Sequence, residues 1–401
     1  MPRAPVTTAS TAASSPAQRS SAPRDLRLDF FRGVALICIF IDHIPENYLN
    51  YFTLSAIGFS DAAEVFIFIS GFTASLVYGR ALAMRGVLFA TIQVWRRAWQ
   101  LYVAHIFLFV IFIAEVSYTV KAFNNPMYNE EMGVGDFLEH PHVAVVQALI
   151  LQFQPTFLDI LPLYIVLLLI FPLVLIALRR NVWLALVPSA LVYVEVQIFG
   201  VDMPAYPLGS VWTFNPLAWQ FLFVLGAVLG QTDPRRRAAA DLLRLAFPAA
   251  VAIALAALAI RLSWMFHGLR EEFPALFLRQ LWPVNKGNLA PIRLASFFAL
   301  FVLVAHWISP QARFLRSAIA RPVVLCGAHS LEIFCLSILL SALGHFLMSE
   351  FASGLRMQVV VNLVGIAAMC LTAAMLDWYR AIQRLPETVP AAGHEHIGGE
   401  D

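Results

Sequence analysis

The sequence predicts an all-α membrane protein, a polytopic bundle of about ten transmembrane helices with both termini in the cytoplasm. Three observations carry this. Of 401 residues, 60% are hydrophobic and 13% charged, against about 25% charged in a typical soluble domain, and mean hydropathy is +0.74. Apolar runs approaching the roughly 20 residues that span a bilayer recur along the chain. The basic residues also alternate between loops: with the N-terminus inside, the inner segments hold 19 Lys and Arg and the outer segments 7, as the positive-inside rule requires.

Taken in order, the helices are expected at 28–45, 62–82, 95–119, 157–178, 181–199, 216–231, 243–262, 291–308, 323–347 and 357–379. "VAVVQALILQF" (143–153) is too short to span and is expected to lie along the membrane surface. Residues 26–380 form the membrane domain. Residues 1–25, rich in Ala, Ser, Thr and Pro, contain no apolar signal-peptide core and read as a disordered cytoplasmic tail. Residues 381–401 read the same way. The longest loops, about 120–156 and 263–290, both fall on the outer side, and such loops often cap a site.

Composition narrows the function. A net charge of +2 offers no patch for nucleic acid. Four cysteines (Cys38, Cys326, Cys335, Cys370) lie in apolar runs with no CxxC pair, so they read as small core hydrophobes rather than metal ligands. No Walker, HExxH, GxSxG or dinucleotide fingerprint occurs. No tightly bound cofactor and no metal are expected.

What remains is a set of polar residues in apolar helices. Arg32 and His43 are eleven residues apart, three helical turns plus about 20°, so they share a face about 16 Å apart along the axis. Intramembrane charges usually face a protein interior or a watery cavity. The stripe therefore reads either as a lined passage or as two interface anchors. Asp61 and Glu64 are one turn apart at the outer end of the second helix, where a glutamate can orient a histidine. Ser70 and Gly71 lie mid-membrane, where small residues admit a close helix or a ligand. "FLDILPLY" supplies Asp159 and Tyr164, "WTFNPLAWQ" supplies Asn215 and Gln220, and "NKGNLAPIRL" supplies Lys286 and Arg293. Each is an ordinary cap or anchor alone. Together they place acids, bases and amides at one level, an outward-opening polar site. At the inner side Arg96 and Arg97 open the third helix and serve either as anchors or as a phosphate pair. His329 and Glu332, at i,i+3, read as a structural pair.

"RLDFFRGVALICIFIDHIP", "GFSDAAEVFIFISGF", "WRRAWQLYVAHI", "FLDILPLYIVLLL", "NPLAWQFLFVLG", "NKGNLAPIRLASFFAL" and "HSLEIFCLSILLS" together resemble OpgC, over residues 24 to 380. That family succinylates osmoregulated periplasmic glucans in Gram-negative bacteria and is grouped with the acyltransferase-3 membrane enzymes. In that group an Arg and a His stand eleven positions apart on the first helix, as Arg32 and His43 do. Phe66, Phe68, Ser70 and Gly71 fit its serine-glycine motif loosely. Its RxxR pair is absent here, since Trp99 and Gln100 follow Arg96 and Arg97.

The resemblance implies an inner-membrane O-acyltransferase with an acyl-CoA donor, succinyl-CoA, on the cytoplasmic side and a periplasmic glucan acceptor. His43 is then the general base, oriented by Asp42, Glu64 or Asp159. Arg32, Ser70, Arg96 and Arg97 attend the CoA, and Lys286 or Arg293 meets the succinyl carboxylate, with Asn215, Gln220 and Tyr164 toward substrate. The alternatives are an O-acetyltransferase of another envelope glycan or lipid, and a transporter of an acidic solute.

Overall fold

A computed structural model describes residues 25–125, 127–231, 236–265, 284–351 and 353–383. The two tails, at 1–24 and 384–401, and most of the outer loop at 263–290 lie outside the described residues. Every extended element described is helical. The β-type pairing consists of isolated bridges, Phe153 with Tyr206 and Pro204 with Val211.

The elements are α1 (Leu26–Asp42), α2 (Leu54–Ile57), α3 (Ala62–Phe123), α4 (Met127–Glu131), α5 (Gly135–Glu139), α6 (Pro141–Leu149), α7 (Ile160–Arg180), α8 (Val182–Phe199), α9 (Pro216–Gly230), α10 (Arg236–Met265), α11 (Pro291–Trp307), α12 (Ala320–Ala328), α13 (Ser330–Glu350) and α14 (Leu355–Gln383). Among the described residues, six helices are long and apolar enough to cross a membrane: α3, α7, α8, the Arg244–Ser263 part of α10, α13 and α14. The apolar helices α9 and α11 are shorter. On α8 the exposed side chains include Trp183, Leu184, Val187, Leu191 and Ile198, a surface suited to lipid and not to water. The chain is a membrane protein.

Three boundaries differ from the sequence reading. The second and third predicted helices run on as α3, whose 62 residues would measure about 93 Å if straight. Their predicted loop, "AMRGVLFATIQV", holds no proline and several good helix formers, and only Gly86 leaves helical geometry (φ 82°, ψ 177°) and divides α3 there. The predicted 323–347 helix is split into α12 and α13 at His329 (φ −110°, ψ 39°). The first helix stops at Asp42, three residues early, with His43 as its C-cap. Pro45 follows, and the residue before a proline disfavours helical geometry.

Glycine sets the helix contacts. A Cβ on Gly71 would strike the Phe223 carbonyl oxygen, and one on Gly226 or Gly230 would strike that of Phe68 or Phe72. Gly226 and Gly230 are one GxxxG step, so α3 and α9 touch backbone to backbone. Gly33 and Gly327 do the same for α1 and α12, against Val323 and Asp29. These contacts fix α1, α3 and α9, the helices whose ends build the site.

Candidate active site

α1 packs against α3, and its end meets the segment leading into α7; the starts of α3, α9 and α11 are joined through Arg293 and the loop carrying Lys286. An ion cluster ties two of these starts together. Arg293, in the first turn of α11, gives Nε to Glu64 Oε1 at 2.7 Å and places Nη2 2.6 Å from the same oxygen. Its Nη2 also lies 3.1 Å from Asp61 Oδ2, and Lys286 Nζ approaches that oxygen at 2.8 Å. Asp61 Oδ1 accepts from the Ala63 N–H at 2.8 Å, and Glu64 Oε2 accepts from the Asp61 N–H at 2.8 Å. This is a reciprocal capping box on α3. Glu64 is fully buried and Arg293 is 7% exposed. Charges so placed must be paired, and here two cations face two carboxylates.

Burial works against charge on Asp61, but Lys286 and Arg293 outweigh it and hold its carboxyl well below the usual range. Burial also opposes the Lys286 ammonium, and Asp61 more than offsets this, so its pKa is raised.

Lys286 rides on a clamped loop. Trp219 Nε1 donates to the carbonyls of Lys286 and Gly287 at 3.1 and 3.0 Å. Tyr193 Oη donates to Leu289 O at 2.8 Å, and Gln197 Nε2 to Asn288 O at 2.6 Å. Asn215 is the N-cap of α9, accepting from the Leu217 N–H at 3.0 Å, and its Nδ2 donates to Val201 O at 2.7 Å and Asn288 Oδ1 at 2.8 Å. Gln220 exchanges bonds with Ser189, Oε1 accepting from Oγ at 2.6 Å and Nε2 donating to the carbonyl at 2.8 Å. The polar atoms of Asn215 and Gln220 are thus engaged within the protein, locking α8, α9 and the Lys286 loop.

His43 stands beside this cluster, and Lys286 and Asp61 are the charges that act on its ring. Its Nδ1 is buried with no hydrogen-bond partner among the described residues. No hydrogen bond joins it to Asp42, Glu64 or Asp159. Asp42 Oδ1 accepts from Thr53 Oγ1 at 2.7 Å and from Ser55 at 3.4 Å, while Glu64 is held by Arg293 and the Asp61 N–H. Asp159, just before α7, also feels Lys286 and takes a side-chain bond from Thr213; burial pushes its carboxyl up to about 6.

The ring is placed instead by Phe157, stacked on it with centroids 4.4 Å apart and planes 29° apart. Phe157 has φ +74°, a region unfavourable to a bulky residue. Its neighbour Thr156 is tied down: its N–H donates to Met132 O at 3.1 Å and its Oγ1 to Glu131 O at 3.0 Å. Glu131 in turn meets His345 Nε2 at 2.8 Å. Strained residues that the surroundings hold in place cluster at functional sites.

The remaining expected residues lie apart from this cluster. Arg32 donates from Nη2 to Thr73 Oγ1 at 2.9 Å and lies 3.7 Å from Asp29. Its side chain is 12% exposed, so it is held inside the bundle. Arg96 is exposed, and Arg97 reaches Gln100 at 3.4 Å. Ser70 is buried next to Gly71 on the face packed against α9. Tyr164 packs between Phe66 and Phe223. Glu332 reaches Arg380 at 3.0 Å on α14.

The family described as OpgC protein matches residues 24–381. The chain belongs to the OpgC family. The match takes in every helix described above except the last two residues of α14. No curated protein matches the chain. Membership in the OpgC family gives the protein a role in modifying osmoregulated periplasmic glucans, as a transferase acting on glucan. Within it, Phe157, Thr53 and Ser55 were not marked by any sequence pattern. Asp61 was noted only as one turn from Glu64; the Asp-x-x-Glu before an apolar run is the capping-box signal that could have placed it.

Proposed function

We propose that this OpgC-family chain is a multi-pass inner-membrane O-acyltransferase, moving a succinyl group from cytoplasmic succinyl-CoA to a hydroxyl of a periplasmic glucan. The bundle crosses the membrane about ten times with both termini inside, an arrangement supported by the 19-to-7 division of basic residues between alternate segments. One observation carries the catalytic reading: a stacked histidine, His43, whose Nδ1 has no hydrogen-bond partner among the described residues, stands beside a fixed Lys286–Asp61–Arg293–Glu64 ion cluster at one end of the bundle.

In the reaction, the imidazole of His43 takes the proton of the glucan hydroxyl as its oxygen attacks the thioester carbonyl carbon. The new C–O ester bond forms, the C–S bond breaks, and the proton passes from His43 to the departing CoA thiolate. Histidine can serve both halves because one nitrogen of a neutral imidazole accepts a proton that the ring can then give up. Lys286, 43% exposed, presents its ammonium to the succinyl carboxylate, whereas Arg293 is committed to Glu64. Arg32 lies about 16 Å along α1 from His43 and steadies the anionic donor in the passage. Arg96 and Arg97 meet its phosphates at the cytoplasmic mouth.

Purified chain incubated with succinyl-CoA and periplasmic glucan tests this. Free CoA and succinylated glucan should appear together, and His43→Ala should abolish both while leaving an intact, folded protein. Acetyl-CoA turning over in place of succinyl-CoA would overturn the donor. Solute uptake into vesicles without CoA release would make the protein a transporter.

A further inference from the structure

A second feature follows His43 directly in the chain. Glu46, Asn47, Tyr48, Asn50 and Tyr51, with Ser353 and Gln358, line a cavity of about 400 Å³, within the usual ligand-pocket range of about 300–1,000 Å³. Its frame is rigid. Asn47 and Asn362 exchange amide bonds at 3.1 Å each way, and both are buried. Gln358 donates to the carbonyls of Glu46 and Ser353 at 3.1 and 2.9 Å and accepts from the Tyr48 N–H at 2.9 Å. Glu46 itself is held at φ +53°, in the sparsely populated left-handed region.

What lines this frame points to a ligand. Asn50 Oδ1 is buried there with no hydrogen-bond partner among the described residues, an acceptor that costs stability until a donor arrives. Tyr48 and Tyr51 line the same cavity and are more than half exposed. The Glu46 carboxylate adds further acceptors. A pyranose sugar complements this set: its hydroxyls donate to Asn50 and Glu46, and its C–H faces pack on tyrosine rings.

We propose that this cavity is a sugar-binding subsite that docks the acceptor beside His43. The assignment rests on the acyltransferase reading for its purpose, though not for the binding itself. Glu46 is three positions beyond His43, so their Cα atoms are within about 11 Å. Thr53, at the far end of the same segment, bonds Asp42, so the loop carrying the cavity leaves from and returns to the site.

The test is equilibrium binding of a short glucose oligosaccharide to the purified full chain in detergent, by titration calorimetry. Wild type should bind. Asn50→Ala and Tyr51→Ala should each weaken binding about ten-fold, Tyr51→Phe should retain it, and Tyr118→Ala, an exposed tyrosine on α3, should change nothing. In the transfer reaction the two weakened variants should raise the KM for glucan with kcat and the donor KM unchanged. Absent binding by wild type overturns the subsite, as does binding indifferent to Asn50 and Tyr51. A loss of stability common to Tyr51→Ala and Tyr118→Ala with binding unaltered also overturns it, making Tyr51 a membrane anchor. Binding without acyl transfer in wild type leaves the subsite standing and removes the proposed function.

Discussion

The Phe157 ring lies against the His43 ring at 4.4 Å, and it does so from a backbone held at φ +74°. A Gly at this position relieves the backbone while deleting the stack. Phe157→Gly should therefore leave the fold intact and lower kcat about ten- to a hundred-fold through loss of ring placement, with Phe157→Tyr near wild type. Steady-state transfer kinetics decide this; an unchanged kcat in Phe157→Gly would show that the stack does not position the base.

Glu64 and Arg293 form the most buried ion pair of the cluster, with side-chain exposures of 0% and 9%. Removing Glu64 leaves the buried Arg293 with only its longer contact to Asp61. Glu64→Gln should cost about 3–5 kcal/mol, and adding Arg293→Met should recover much of it. Denaturation in mixed micelles measures both. If Glu64→Gln were stable and merely slow, the residue would serve His43 rather than Arg293.

The Asp61–Lys286 pair sets a pH window. The Asp61 pKa is depressed from 3.8, so its contribution is present above that value and lost as pH falls through the lower folded pKa. The Lys286 pKa is raised from 10.5, so its contribution is full below that value and lost as pH rises through the folded pKa. Asp61→Asn keeps the helix cap and removes the charge. The gap in melting temperature between wild type and Asp61→Asn should be level between about pH 4 and 10 and close outside it. A gap that stays constant into strong acid would contradict the pairing.

The α3–α9 contact leaves no room at Gly226, where a Cβ meets the Phe68 carbonyl, whereas Gly79 has open space around it. Gly226→Ala should destabilise by about 1–3 kcal/mol and Gly79→Ala should not. Equal melting temperatures for the two variants would mean that the helices are not in backbone contact.

The helices were legible because apolar runs and loop charges declare them locally. The join of two predicted helices into α3 was not, since its linking residues carry no proline and only Gly86 departs from helix. Within the site, the placement of polar residues at one level was readable from their positions at helix ends. Their partners were not. Glu64 reads as a histidine orienter until Arg293, 229 residues away, is brought against it. Asn215 reads as a substrate amide until its cap bond and Asn288 take up its polar atoms. Phe157 has no sequence mark, because a left-handed backbone at a phenylalanine is imposed by the clamped Thr156 beside it.

The central claim is that His43 is the base of a succinyl transfer to glucan. The most direct test is mass spectrometry of periplasmic glucans from cells carrying the wild-type chain, His43→Ala, or neither. A succinyl mass increment present only with the wild-type chain is the result expected. Succinylated glucan in the His43→Ala cells, or no increment with the wild-type chain, would contradict it.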